Sequence, residues 1–175
     1  MSNSPFQSLS RWSIRNMGAF GMTAALGVAG LGTVAQQCAP PPPPPIVQVE
    51  GVQTGAVNAA NGHRSAAGRA PLVVDSRLTS AAQRHANDMA NRQLMTHTGS
   101  DGTNAGQRVA MYGYGATMWA ENVAAGYATA TDVVNAWMNS SGHRANILNP
   151  QLVHIGVAAA TGSNGVVYWS MVFAA

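Results

Sequence analysis

Apolar positions recur along the second half of the chain with two different periods, and the change of period marks the elements. In "DSRLTSAAQRHANDMANRQ", residues 75–93, Leu78, Ala81, Ala82, His85 and Met89 fall on one helical face, with Asp75 or Ser76 as the cap. "QTGAVNAANGHRSAAG" predicts an earlier, alanine-rich helix closed by Gly68. "HTGSDGTNAGQRVAMYGYG" mixes turn residues with a short helical patch around Arg108, Val109 and Met111. "MWAENVAAGY" reads as a brief strand, and "TDVVNAWMNSSG" as a helix capped by Thr131 and stopped by Gly142. At the end, "LVHIGVAAA" and "VVYWSMVFA" flank "TGSNG", a loop of hairpin length. Val167, Trp169, Met171 and Phe173 alternate with Tyr168, Ser170 and Val172, so both faces of the last strand are apolar enough to be covered. Helices first and a terminal antiparallel hairpin predict an α+β domain, with helices packed over a small central sheet. No internal repeat interrupts this reading.

The first 49 residues belong to a different pattern. Arg11 and Arg15 precede an apolar Ala/Gly/Met/Leu run that ends in Thr33-Val34-Ala35, the order of a signal peptide. Residues 1–35 are therefore expected to direct export, with cleavage after Ala35 and a secreted or periplasmic destination. An uncleaved anchor is the alternative; the run's many glycines and alanines make it weakly hydrophobic and favour cleavage, which leaves no membrane span in the mature form. Six prolines, Pro40–Pro45, form a stiff, solvated spacer within a linker over 36–49. The folded domain is expected over 50–175.

Charge and cysteine content narrow the partners. The chain carries 9 Lys+Arg and 6 Asp+Glu, and all nine cations are arginine. Without Arg11 and Arg15, the remaining seven arginines almost balance the six acids, so the high isoelectric point belongs largely to the export segment. No basic stripe remains for nucleic acid and no polybasic cluster for anionic lipid. Cys38 is the single cysteine, which excludes an internal disulfide framework. It follows the apolar run, but Gln37 stands where a bacterial lipidation site has a small residue; a lipid anchor at Cys38 is the lesser alternative.

Five histidines, His63, His85, His97, His143 and His154, are the main chemical resource. No pair has HExxH spacing, and neither CxxC nor G-x-S-x-G occurs. Any site must be assembled from distant segments. His97 opens a turn-rich loop, a common setting for reactive side chains. Glu121 is the only glutamate after Glu50 and lies in an apolar segment, where a carboxylate needs a partner; Arg108 and Arg144 are candidates. His143 stands at the expected helix end, where a protonated histidine is favoured for structural reasons alone. Together His97, Glu121 and His143 are the ligand types of an open zinc site. The same set without metal would be a proton relay or a hydrogen-bonded network. His85, on an apolar helix face, reads as a satisfied core residue.

The series "HTGSDG", then "R…GYG", "AENVAAGY", "WMNSSGHRANILNP", "IGVA" and "YWSMVFA" resembles bacterial members of the CAP superfamily. That superfamily comprises cysteine-rich secretory proteins, antigen 5 and pathogenesis-related proteins. The resemblance covers residues 50–174 and implies an α-β-α sandwich with a small central antiparallel sheet. It also implies a cleft of two histidines and acids that binds a divalent metal such as Zn2+ in some relatives. By motif, His97 and His143 match the two histidines, and Glu121 the acid of the Glu-Asn pair. Many animal and plant members carry a second glutamate three positions after the helix tryptophan; here that place is Ser140. Asp101 is the candidate replacement. Ala120 stands where a glycine often precedes the Glu-Asn pair. The resemblance implies a binding module for a divalent metal or a small amphipathic, lipid-like ligand. A metal-assisted hydrolase with Glu121 as catalytic base, and an envelope interaction protein without turnover, stay open as alternatives.

Overall fold

A computed structural model describes residues 49–175; the expected signal segment, Cys38 and the proline run lie outside the described residues. The chain runs α1 (Val49–Ala66), β1 (Val73–Val74), α2 (Ser76–Arg92), α3 (Ala105–Met111), β2 (Trp119–Ala125), α4 (Ala130–Asn139), α5 (Ser141–Leu148), β3 (His154–Thr161) and β4 (Val167–Ala174). The sheet order is β1-β3-β4-β2. Strands β2 and β3 both pair antiparallel with β4, as the hairpin pattern requires. The two-residue β1 adds a parallel edge, Val73 opposite His154 and Val74 opposite Ile155, so the α+β sandwich has a mixed sheet. Such a short edge strand leaves no periodic signal in the sequence.

Strand alternation explains the three layers. Trp169, Met171 and Phe173 of β4 join Ile155 and Val157 of β3 in a core with Ala56, Ala60, Val133, Trp137 and Ile147 of α1, α4 and α5. Val172 and Ala174 turn the other way, onto Leu78, Ala81, Ala82 and Ala86 of α2 and Val109 of α3. Both faces of β4 are therefore covered. Small residues bring α2 very close to the sheet: a Cβ on Gly156 of β3 would overlap the backbone of Leu78 and Thr79. The cap of α2 is Asp75, whose side chain accepts from the Arg77 N–H. Among the described residues no helix is long and apolar enough to cross a membrane.

The region after Trp137 differs from the expectation. Helix α4 is capped by Thr129, not Thr131, through a hydrogen bond from the Asp132 N–H. It ends at Asn139 because Ser140 adopts an extended conformation (φ −101°, ψ 124°). The Ser140 carbonyl then accepts from the Arg144 N–H at 2.8 Å and starts a new helix. Gly142 is thus inside the first turn of α5 and has no positive φ, so it does not act as a terminator. His143 consequently sits at the start of a helix, where the dipole disfavours its protonated form.

Arg64 ties these helices together in a way no local pattern announces. It is 1 % exposed, and its guanidinium donates to the carbonyls of Ala70 (2.7 Å), Ile147 and Asn149 (both 2.8 Å) and Leu152 (3.4 Å). The last carbonyls of α5 are satisfied by a cation from the last turn of α1.

Candidate functional site

Glu121 organises the site from β2. Its side chain is almost fully buried, and both oxygens are engaged. Oε1 accepts from Arg108 Nη2 at 2.6 Å and from Ser170 Oγ at 3.4 Å; Oε2 accepts from His97 Nδ1 at 2.9 Å. Arg108 reaches this point from α3, whose start is fixed by a reciprocal capping box between Asn104 and Gln107. The same guanidinium donates to the carbonyls of Thr103 (2.7 Å) and His97 (3.2 Å), so one cation neutralises the acid and holds the loop that carries His97. That loop begins where Gln93, in a left-handed conformation, caps α2. It is held a second time by His85, whose Nε2–H donates to the Thr96 carbonyl at 2.7 Å.

The electrostatics follow from this packing. Burial pushes the Glu121 carboxyl up, but the hydrogen bond from His97 and the charge of Arg108 outweigh it and hold the carboxyl below its ordinary range. His97 is raised, first by its hydrogen bond to Glu121. An ionised carboxylate only accepts, so the His97 proton sits on Nδ1 and Nε2 is the free edge of a side chain that is 59 % exposed. His143 is lowered by burial and by the neighbouring charge of His97. His85 is lowered by burial; its Nδ1 and the Nε of Arg108 are buried without a hydrogen-bond partner.

The geometry brings some of the expected residues together and separates others. His97 and Glu121 are in direct contact. His143 comes from α5, docked beside them: Asn122 Nδ2 donates to its carbonyl at 3.2 Å, and Asn146 Nδ2 donates to Asn122 Oδ1 at 2.9 Å and to the Glu121 carbonyl at 3.4 Å. Asp101 does not join His97. It pairs with Arg84 at 2.7 Å and accepts from Thr103, so its carboxylate is committed elsewhere. Ser140 separates α4 from α5 and makes no side-chain cap bond. His85 is buried, as expected for a core residue, yet its Nε2 stands 4.0 Å from Glu121. Among the described residues, no three His, Cys, Asp or Glu side chains form a group able to hold a metal. The Glu121 carboxylate is instead shared between Arg108 on Oε1 and His97 on Oε2.

A cavity of about 350 Å3 opens beside this network, lined by His97, Thr98, Ala105, Trp119, Glu121 and Asn146 among others. The Trp119 indole is 45 % exposed and lies against Gly106, where a Cβ would strike the ring. Besides Ser170 on β4, the residues not foreseen as part of the site are Asn146 and Trp119, and Asn122 entered only as the second member of the Glu-Asn pair. For Asn146 and Trp119 the only signal was adjacency: Trp119 precedes Glu121 on β2, and Asn146 lies one helical turn after His143.

The paired shifts set a pH dependence. A carboxyl depressed by folding adds stability above the ordinary glutamate range and loses it as pH falls through its folded value. A histidine raised by folding adds stability below the ordinary histidine value and loses it as pH rises through its folded value. The His97–Glu121 contact is therefore worth most between the two folded values. Urea midpoints should fall on acidification below the ordinary glutamate range, and Glu121→Gln should make that acid limb shallower; identical limbs would remove Glu121 as its source.

Comparison with known proteins places this arrangement. A family model described as the cysteine-rich secretory protein family, CAP, matches residues 57–173. Over 101 residues the chain is 37 % identical to an uncharacterized protein of Bacillus subtilis, YkwD, covering 58 % of this chain and 39 % of that protein. The alignment thus spans well under half of that relative's length. An extracellular protein of Bacillus anthracis containing an SCP domain superposes with a TM-score of 0.65 at 25 % identity, over 72 % of this chain and 41 % of the other. A cysteine-rich secretory protein of Staphylococcus aureus superposes with a TM-score of 0.62 at 21 % identity, over 74 % of this chain and 40 % of that one. An outer surface protein of Borrelia burgdorferi has the same TM-score at 24 % identity, over 67 % of this chain and 87 % of its own. The last two likenesses speak to the fold alone.

Proposed function

The chain belongs to the cysteine-rich secretory protein (CAP) family, and from that premise we propose that it is an exported binding module whose cleft holds a small amphipathic ligand, with a divalent cation held by His97 and His143. Export is supported by the arginine-then-apolar N-terminal run and by the extracellular description of the Bacillus anthracis relative. The single observation that carries the binding reading is the state of Glu121. Both its oxygens are engaged, and Arg108 at 2.6 Å keeps it ionised, so its role is to orient the His97 ring rather than to take a proton from substrate.

The donor set suits a labile cation better than a closed site. Two neutral imidazoles, His97 through Nε2 and His143, would hold the ion and leave its other positions to water or ligand. A bound cation would supply a Lewis-acidic anchor for an oxygen of the ligand head group. The Trp119 ring and Ala105 offer the apolar wall such a ligand needs, in a cavity that His97 and Asn146 also line.

Calorimetric titration with zinc chloride tests the cation. His97→Ala and His143→Ala should each weaken binding about ten-fold or more, a loss of about 1.4 kcal/mol or more, and His63→Ala should leave it unchanged. Glu121→Gln, which removes the charge that orients His97, should cost about 10- to 100-fold. Equal affinity across all four variants and the wild type would remove the imidazole pair from the function. A fluorescent fatty-acyl probe reports the ligand separately and should lose affinity in Trp119→Ala.

A further inference from the structure

A second cavity, of about 560 Å3, opens on α2, the Gly99–Thr103 loop and Tyr112. It shares the buried ion pair with the cleft, since Arg108 lines this cavity and Glu121 the other. We propose that this second cavity is a carbohydrate site, taking a neutral, hydroxyl-rich ring against the amide face of α2 with Tyr112 at its rim.

Three observations lead there. The first is charge. Arg84, Arg108, Asp88 and Asp101 all line it, and each is already committed: Asp101 to Arg84 at 2.7 Å, Asp88 to Arg92 at 3.2 Å and to the Ser100 N–H at 3.0 Å, and Arg108 to Glu121. A charged ligand finds no unpaired counter-ion among these groups, and a neutral one meets no repulsion. The second is the wall. Gln83, Asn87 and Asn91 repeat at intervals of four along α2, so their amides form one stripe into the cavity. Gln83 Nε2 donates to Asn87 Oδ1 at 2.9 Å and to the Ala159 carbonyl at 3.4 Å. That leaves Gln83 Oε1 as an acceptor, Asn87 Nδ2 as a donor and the Asn91 amide as both, the mix that vicinal hydroxyls require. Tyr112, 39 % exposed, adds a flat apolar face of the kind a sugar ring covers.

The third observation is the floor. His85 and Arg108 are 0 % and 1 % exposed, and each keeps one orphaned nitrogen. The His85 Nε2–H is given to the Thr96 carbonyl, which leaves Nδ1 as an acceptor without a donor. Arg108 Nε is a donor without an acceptor. A hydroxyl is the simple group that can answer either, because it can donate to the first or accept from the second. The loop above is closely packed: a Cβ on Gly99 would meet Asp101 Oδ1 at 2.6 Å and Thr103 Oγ1 at 2.9 Å, so a larger residue there would have to displace both side chains. The volume lies within the roughly 300–1,000 Å3 of ordinary small-molecule sites.

Saturation-transfer NMR on the full chain, with chitotetraose and maltotetraose as probes and inorganic phosphate as competitor, tests this. We expect transfer to the ring protons of at least one sugar, affinity about ten-fold lower in Asn87→Ala and in Tyr112→Ala, and no displacement by phosphate. Both substitutions change exposed side chains, so an unchanged thermal midpoint accompanies them. No transfer from either sugar, transfer undiminished in both variants, or displacement by phosphate would each overturn the assignment. The first of these leaves water as the group that satisfies the floor. Zinc binding should be the same in both variants as in the wild type, which separates failure here from failure of the His97 cleft.

Discussion

Arg108→Met should lower the free energy of unfolding by about 3–5 kcal/mol, the range for breaking a buried ion pair from one side. The side chain is 1 % exposed, and its acid partner is 2 % exposed. Methionine fills much of the volume but leaves the Glu121 carboxylate with only His97 and the long contact from Ser170. It also strips the donor from the carbonyls of His97 and Thr103, so the loop between them loses its anchor at both ends. Urea denaturation followed by tryptophan fluorescence measures the loss. Arg108→Met combined with Glu121→Leu removes the stranded charge and should recover part of it, since replacing both partners with apolar groups is far cheaper than removing one. A single-variant loss under about 1 kcal/mol would mean that the pair is not what holds this loop.

This network also shows where sequence reading reached and where it stopped. Helix α2 and the β3–β4 hairpin were legible because their apolar residues repeat at 3.6 and 2 over many positions, and burial enforces the period. The Arg108–Glu121 pairing was foreseeable because a lone glutamate in an apolar strand demands a partner and Arg108 was a candidate for it, whereas His97 was joined to Glu121 only by ligand type and by resemblance. The boundary at Ser140 was not legible. "SSG" satisfies the rule for a stop, but the chain continues into a second helix because the Ser140 carbonyl and the Asn122–Asn146 bonds reward it, and these are tertiary facts. Arg64 was invisible for the same reason: its four acceptors come from residues up to 88 positions away. Asp101 illustrates the opposite error. It had the right chemistry for the missing acid, but a carboxylate within reach of Arg84 and Thr103 is captured locally before it can serve a distant cleft.

Gly156→Ala should be the most damaging one-carbon change in the domain, costing about 3 kcal/mol, the upper end of overpacking, or more. The added methyl has no side chain to push aside. It meets the main chain of α2 at Leu78 and Thr79, and a helix backbone yields only by moving as a body. That movement carries consequences to the site although β3 lies two strands from Glu121. Helix α2 bears His85, which holds the Thr96 carbonyl, and Arg84 and Asp88, which hold the loop after His97. Gly156→Ala should therefore weaken zinc binding as well as stability, with no change to any residue of the cleft. Gly62→Ala is the matched control. Gly62 lies within α1, a Cβ there meets nothing within 4 Å, and its φ is not positive. The same chemical change there should stabilise by about 0.5–1 kcal/mol through helix propensity alone. Opposite signs for the two variants in urea denaturation would show that the helix-to-sheet distance, rather than glycine content, governs the effect. Wild-type zinc affinity in a clearly destabilised Gly156→Ala would instead mean that the His97 loop keeps its place through Arg108 alone.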